Sequence, residues 1–529
     1  MPSLDERANT PGASNPQLFS HLAFFALLAV ACLWILHLPL FPTQDGPVHV
    51  YYARVSQAVL RGEGSFGEHF RVAHPLPPYA FHAYLLMFLM RFLSPELSEE
   101  LLACACVLSA GVGFWYFARQ LGRSGSIVAV FALPFFLHRY LFLGFYGFSF
   151  GIGLAFAAMG LWLGGNRGTW KFRAAFVGLS IVCLFAHPVP YLMMIVFCWA
   201  EVIAGHFSAQ WQPDISNTAA PMLNAPSRAD LVTLLAASSL IAYVELYSHS
   251  GPLLDFPSRD DLLYNLYRYG RTANLLIVIP LIGRDYRLLC CAVLLLGAIG
   301  AFWSIWKLRR SGLVLRAHLA LAWGTLLLLV LPIVPENMNG GALFADRVSV
   351  WIVLFVMAAA ALVEMRPTIA AVVLSFSVVL FICELGILQS RIAPIARELQ
   401  VEGYPANRLR DVQVVTLNAR FQPADLTFDP YWLSSVRMVD RGHGLLLDPP
   451  WLGHQILMLD RKEPELVKDM AGRVRFLGRP PAAYAVIWNN CVVRQEEPAK
   501  AIDNVNLTKV QWRVEQYGCF SVAEQHAAG

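Results

Sequence analysis

Residues 19–40 read FSHLAFFALLAVACLWILHLPL, without a single Asp, Glu, Lys or Arg. An α-helix needs roughly 20 consecutive apolar residues to cross the hydrocarbon core of a bilayer, and this stretch is long enough. Pro39 and Pro42 close it. The rest of the chain follows the same rule. Of 529 residues, 57% are hydrophobic and only 14% are charged, with a mean hydropathy of +0.51. Soluble chains carry about 25% charged residues, so most of this chain is not built to face water. A net charge of +4 is too small to imply a nucleic-acid partner. The fold class is therefore a polytopic α-helical membrane protein. Residues 1–18 are polar and read as a disordered cytoplasmic tail. No basic segment precedes the first apolar run and no small-residue cleavage site follows it, so that run is expected to remain as an anchor.

Outward from this first span the apolar runs recur. They cover Glu99–Ala118, Gly125–Leu141, Phe145–Gly164, Ala174–Ala186, Val189–Gly205, Leu231–Tyr247, Leu288–Trp306, His318–Val334, Val348–Val363 and Thr368–Gly386. That predicts about eleven transmembrane helices within residues 19–386. The loops Gly165–Arg173 and Lys307–Arg316 are basic, which places them and the N-terminus in the cytoplasm. The long first loop, residues 41–98, is then external, as is the C-terminal region. The loop Asp255–Arg287, also external in this arrangement, runs against the bias with Arg259, Arg268, Arg271, Arg284 and Arg287. Pro78–Leu93 is apolar but short, and the charge pattern makes it a surface helix rather than a crossing. Ala273–Gly283 is shorter still and reads as re-entrant or interfacial.

Beyond about Gln389 the composition turns polar. Val412–Leu417, Gly444–Leu447 and Ala483–Trp488 read as strands, while Glu463–Met470 and Pro498–Val505 have a helical reading. Residues 387–529 are expected to form a small external soluble domain of α/β or α+β type. Eight of the ten cysteines lie in apolar runs. The other two, Cys491 and Cys519, are either an external disulfide or two buried thiols.

Chemistry concentrates in the first external loop, Pro42-Thr-Gln-Asp-Gly-Pro-Val-His-Val-Tyr-Tyr-Ala-Arg-Val. Asp45 followed by Gly-Pro suits a helix N-cap. A carboxylate there is also placed to act as a general base on a hydroxyl. His49, four residues on, shares its side of the helix. Val48, Tyr51, Tyr52, Val55 and Val59 line one face, as in an amphipathic helix lying on the bilayer. His74 stands in Ala73-His-Pro-Leu-Pro-Pro-Tyr, ahead of the Pro78 helix. His187 precedes Pro188 at an outer span end, where it either caps a helix or serves function. Glu245 lies within a span and needs a polar partner. Arg347 follows the loop Pro335-Glu-Asn-Met-Asn-Gly-Gly-Ala-Leu-Phe-Ala-Asp. It suits either a lipid phosphate or an interface anchor paired with Asp346.

An acid just after the first span, a helix, a His-Pro-Pro-type segment, a second short helix and a span ending in Ala118-Arg119-Gln-Leu-Gly occur in that order. This order resembles the GT-C class of integral membrane glycosyltransferases, which includes protein O-mannosyltransferases and lipid A aminoarabinose transferases. Pro188-Val-Pro after His187 and the tail Tyr517-Gly-Cys-Phe-Ser-Val look like bacterial members of the class. The resemblance is carried by roughly the first 200 residues, and by general layout thereafter. It implies an enzyme of the bacterial cytoplasmic membrane that moves a sugar from a polyprenyl-phosphate donor to an acceptor hydroxyl at the outer face. By that resemblance Asp45 is the candidate catalytic residue, and His49, His74, His187 and Arg347 are candidate substrate-binding residues. Neither the sugar nor the acceptor is specified. The class often carries two adjacent acids in this loop, whereas Gly46 follows Asp45 here. A second acid would come from elsewhere, for instance Glu63, Glu68 or Asp255; otherwise a metal-independent mechanism with one base applies, and use of a divalent metal is left open. A lipid-linked substrate transporter or flippase, and a catalytically silent membrane scaffold, are the rival readings.

Overall fold

The computed structural model describes residues 16–63, 66–72, 78–211, 227–243, 344–362, 365–400, 403–410, 412–417, 428–431, 433–446, 459–461, 466–468, 474–476, 484–489 and 512–525. The first fifteen residues, the expected spans Leu288–Trp306 and His318–Val334, the run Ala273–Gly283, the helix Pro498–Val505, and His74, Glu245, Asp255 and Cys491 lie outside them.

Within these residues the N-terminal part is helical. The helices are α1 (Pro16–His37), α2 (Gly46–Arg61), the short α3 (Phe66–His69), α4 (Phe81–Leu89), α5 (Pro95–Leu121), α6 (Gly125–Ala132), α7 (Arg139–Phe142), α8 (Tyr146–Gly164), α9 (Trp170–Ala186), α10 (Pro188–Trp211) and α11 (Arg228–Ser239). Beyond these come α12 (Phe344–Ala359), α13 (Pro367–Glu398) and the short α14 (Ser435–Arg441). The boundaries follow local chemistry. Ser94 caps α5 by accepting the Leu97 N–H, and Thr169 caps α9 by accepting the Phe172 N–H. The segments Gln17–His37, Pro95–Leu121, Gly125–Phe142, Tyr146–Gly164 and Pro367–Glu398 are each long and apolar enough to cross a membrane. The protein is thus a multi-pass helical membrane protein.

One of these segments is not the single helix expected. Between α6 and α7 the chain tightens into a 3-10 turn, Leu133–Phe136. Pro134 offers no N–H to continue an α-helix. The helix α4 has nine residues, about 13 Å of rise, well short of the ~30 Å hydrocarbon core.

The centre of the bundle is the crossing of α5 and α8. A Cβ on Gly113 would lie 2.0 Å from the Gly153 carbonyl oxygen, so the two backbones meet where neither residue carries a side chain. Without a hydrophobic force between helices in lipid, such close packing is what holds a bundle together. Around the crossing lies an aromatic layer. Phe156 of α8 stacks on Trp351 of α12 at 5.0 Å, and Phe197 of α10 stacks on Phe355 at 5.6 Å. This layer holds α12 one turn below Arg347.

The helix α2 corrects a sequence expectation. It does not lie with one face open. Val48, Tyr51, Tyr52 and Val55 are buried, and so are Val50, Ala53 and Ser56 on the other side. The C-terminal region packs on α2 from the side of Tyr51 and Arg54. Arg54 Nε donates to Asp440 Oδ1 at 2.5 Å, and the Tyr51 hydroxyl accepts the Leu446 N–H at 2.8 Å.

The C-terminal region contains a five-stranded sheet with β2 (Gln413–Leu417), β3 (Leu445–Leu446), β7 (Tyr484–Asn489), β8 (Trp512–Tyr517) and β9 (Phe520–Gln525), in the order β3-β2-β7-β9-β8. β2 runs parallel to both neighbours, whereas β9 is antiparallel to β7 and β8. All three expected strands are present. Within Glu463–Met470, where a helix is expected, the described residues Leu466–Lys468 (β5) form a strand that pairs antiparallel with Val474–Phe476 (β6). A Val-centred segment gains more from cross-strand pairing than from a single helical turn. In addition, β1 (Phe70–Val72) of the first loop pairs antiparallel with β4 (Leu459–Arg461), so loop and C-terminal region share a ladder. Cys519, in the turn between β8 and β9, is disulfide-bonded.

Candidate active site

Asp45 stands at the N-cap position of α2 without doing a cap's work. Its φ and ψ of −102 and −11 are helical rather than extended, and its side chain makes no cap hydrogen bond. The backbone is held instead by the segment after α7. The Gln44 N–H donates to the Phe142 carbonyl at 2.9 Å, and the Asp45 N–H to that of Leu143 at 3.1 Å. Gly144 permits this approach. Its φ is +84, and a Cβ there would lie 2.8 Å from the Gly46 nitrogen.

The Asp45 carboxyl is 6% exposed, and its Oδ1 is buried with no hydrogen-bond partner among the described residues. Burial pushes its pKa up to about 7, against the opposing pull of the Gln44 side-chain hydrogen bond and the Arg347 charge. A carboxylate in this state is a competent proton acceptor near neutrality.

Arg347, at the start of α12, reaches the same place. Its guanidinium lies 4.5 Å over the Phe145 ring and 5.7 Å over that of Phe148. Its Nη1 is 3.0 Å from His187 Nε2. His187 ends α9, and its Nδ1 accepts the Val189 N–H at 3.1 Å. A neutral imidazole accepts at only one nitrogen. The Val189 N–H and the Arg347 guanidinium thus present two donors to a ring that has one acceptor when neutral. Arg347 Nε is also buried without a partner among the described residues. Donors therefore outnumber acceptors here, which is the electrostatic signature of an anion site. His187 therefore both accepts the Val189 N–H at the start of α10 and contacts Arg347.

His49 lies inside, 8% exposed, with its ring 4.9 Å from that of His82 on α4 and 5.9 Å from that of Tyr146. Burial, with a contribution from His49, holds His82 well below the usual histidine range, so it is neutral. The ring of Tyr79 is 6.5 Å from that of His187. The structure thus gathers Asp45 and His49 from the start of α2, His187 from the end of α9 and Arg347 from α12, three segments in all.

A buried carboxylate that sequence did not single out sits behind Gly46. Glu99 of α5 is 1% exposed. Its Oε1 accepts from the Thr43 hydroxyl at 2.6 Å and the Tyr146 hydroxyl at 2.7 Å, and its Oε2 pairs with Arg437 Nη1 at 2.8 Å. A Cβ on residue 46 would lie 1.9 Å from Glu99 Oε1 and 2.0 Å from Thr43 Oγ1, which explains glycine after Asp45. Glu63 and Glu68 are exposed. Two acids opening a hydrophobic helix, Glu99 and Glu100, were the available signal. Nothing in sequence marked Arg437 as their neighbour. Among the described residues no three His, Cys, Asp or Glu side chains converge as metal ligands, and the Glu99 oxygens are already occupied.

No protein-family model matches the sequence, and no curated protein matches it. Among solved structures, the crystal structure of ArnT from Cupriavidus metallidurans in the apo state is similar, with a TM-score of 0.50 and 13% identity. The match covers 94% of this chain and 97% of that one. The chain has an ArnT-like, GT-C membrane fold over almost its whole length.

Proposed function

We propose that the protein is a membrane glycosyltransferase that moves a sugar from a polyprenyl-phosphate donor to an acceptor hydroxyl at the outer face of the cytoplasmic membrane. The observation that carries this reading is the uncapped, buried Asp45 carboxylate in the electrostatic reach of Arg347. A cap needs its side chain on the helix N–H groups, and Asp45 does not place it there. The shared fold with ArnT, a GT-C aminoarabinose transferase, supports a lipid-linked sugar as the substrate class.

In the proposed reaction Asp45 takes the proton of the acceptor hydroxyl. The acceptor oxygen attacks the anomeric carbon, and the bond from that carbon to the phosphate oxygen breaks. The electron pair leaves on the polyprenyl phosphate, and the proton ends on Asp45. Arg347, with His187 beside it, stabilises the growing charge of the departing phosphate. Stacking on Phe145 and Phe148 holds the guanidinium ready, so little reorganisation is needed at that moment.

The test is transfer of radiolabelled aminoarabinose or mannose from undecaprenyl phosphate to lipid and protein acceptors in proteoliposomes. Asp45→Asn keeps shape and cap propensity but removes the base, so transfer is expected to drop about 10²–10⁴-fold. Full activity in that variant would sink the role assigned to Asp45. Flux of labelled lipid without covalent transfer would favour a transporter.

A further inference from the structure

The geometry points to Arg437, on the C-terminal domain, as a positioning residue that fixes the Asp45 loop through Glu99. This rests on the glycosyltransferase reading and adds to it a job for the C-terminal domain.

The Asp45 carboxylate has few holds of its own, yet the residues beside it are tied down. Arg437 Nη2 donates to the Phe41 carbonyl at 3.3 Å while Nη1 pairs with Glu99. Glu99 in turn accepts from Thr43, and lies so close to Gly46 that no side chain fits between them. The Gln44 side-chain oxygen accepts the Asp429 N–H at 3.0 Å, a second tie to the C-terminal domain. Residues 41, 43 and 44 are thus each held by Arg437, Glu99 or Asp429, and Gly46 lies against Glu99. Tyr146 closes the arrangement by donating to Glu99 from the start of α8.

Both ions are nearly inaccessible, with side-chain exposures of 8% for Arg437 and 1% for Glu99. A planar guanidinium suits this place because its two nitrogens serve a carboxylate and a carbonyl at once. A lysine would supply the charge but only one fixed direction. A buried ion pair that did nothing beyond hold the fold would need no partner in a catalytic loop. Here the guanidinium and the carboxylate both spend hydrogen bonds on that loop. A base displaced by about 1 Å from its acceptor loses on the order of 10²-fold in rate.

The experiment compares full-length wild type with Arg437→Lys and with the double variant Glu99→Gln/Arg437→Gln in proteoliposomes. The double variant removes both charges together, so no buried ion is stranded. Two readouts are taken. The first is turnover and donor KM with undecaprenyl-phosphate-linked, radiolabelled aminoarabinose. The second is carbodiimide modification of Asp45, followed by mass spectrometry, which needs no activity. The expected result for the double variant is unaltered elution and melting, an about 100-fold loss of turnover at constant donor KM, and faster labelling of Asp45. Arg437→Lys should fall between the double variant and wild type. Wild-type turnover together with wild-type labelling in the double variant overturns the positioning role while leaving the enzyme intact. A well-folded double variant that changes only donor KM does so as well. A wild-type protein that transfers no label overturns the enzymatic reading, and this proposal with it.

Discussion

At the scale of single residues, Asp45 makes a pH-dependent prediction. Burial raises its carboxyl to about 7 from an ordinary value of 3.8. Only the ionised form accepts a proton. Transfer should therefore climb with pH through about 7 and level off above it, with its rise governed by this one group. For stability the sign is opposite. A carboxyl whose folded pKa is raised favours the fold most below pH 4, and that contribution is lost as pH climbs through 7. A pH–rate profile of kcat/KM in proteoliposomes checks the first statement. A profile flat between pH 5 and 9, or one that Asp45→Asn leaves in shape, would remove Asp45 as the base. Much of this residue's setting was legible. Asp45, His49 and the Asp-Gly-Pro turn could be read directly, because a loop after a span is local. Glu99 could not, because its meaning depends on Arg437, 338 positions away.

At the scale of elements, the α5–α8 crossing decides whether the site assembles. A Cβ on Gly153 would lie 2.0 Å from the Ser109 carbonyl oxygen, and Ser109 bonds its own hydroxyl to the Phe150 carbonyl at 2.9 Å. A leucine at 153 must force the helices apart, a typical cost of ~1–3 kcal/mol or more. Glu99 and Tyr146 ride on these two helices, so activity should fall together with stability. Gly178→Ala is the control, since a Cβ there meets nothing within 4 Å. The expected outcome is a lowered Tm in detergent for Gly153→Leu and an unchanged or higher one for Gly178→Ala. Equal melting of the two would contradict the crossing described here. Helix positions were readable from apolar length alone. The break at Leu133–Phe136 was not, although Pro134 was its visible cause.

At the scale of the whole molecule, orientation is the open quantity that charge bias addresses. The loop Gly165–Arg173 carries Arg167, Lys171 and Arg173. Arg167 is not simply a free cation, because it pairs with the buried Glu201 at 2.9 Å and stacks on Trp162 at 4.5 Å. Lys171 and Arg173 remain as the basic residues on which the expected cytoplasmic placement of this loop rests. A reporter active only outside the cytoplasm should work when fused after Gly529 and fail when fused within this loop. The reverse pattern would turn the protein over and remove the periplasmic site. An outer location also suits the disulfide at Cys519, since such bonds persist in oxidising compartments.

The amino-acid sequence by itself determined that this chain crosses a membrane many times, where most helices run, and that a strand-containing region follows. Each of those is set by composition and spacing over a few tens of residues, within reach of hydropathy and period. It also marked Asp45, His187 and Arg347 as candidates, because ionisable groups at span ends are costly and conspicuous. Only the tertiary structure decided that these three come together, that α2 is buried on both faces, and that Glu99 and Arg437 stand behind the loop that carries Asp45. Those facts rest on ion pairs, shared strands and close helix contacts between segments up to about 400 positions apart, as in the tie from Arg437 to Phe41. No local pattern encodes such a distance. It is set by which apolar surfaces bury one another, and the polar groups that meet there are matched only once the chain has folded.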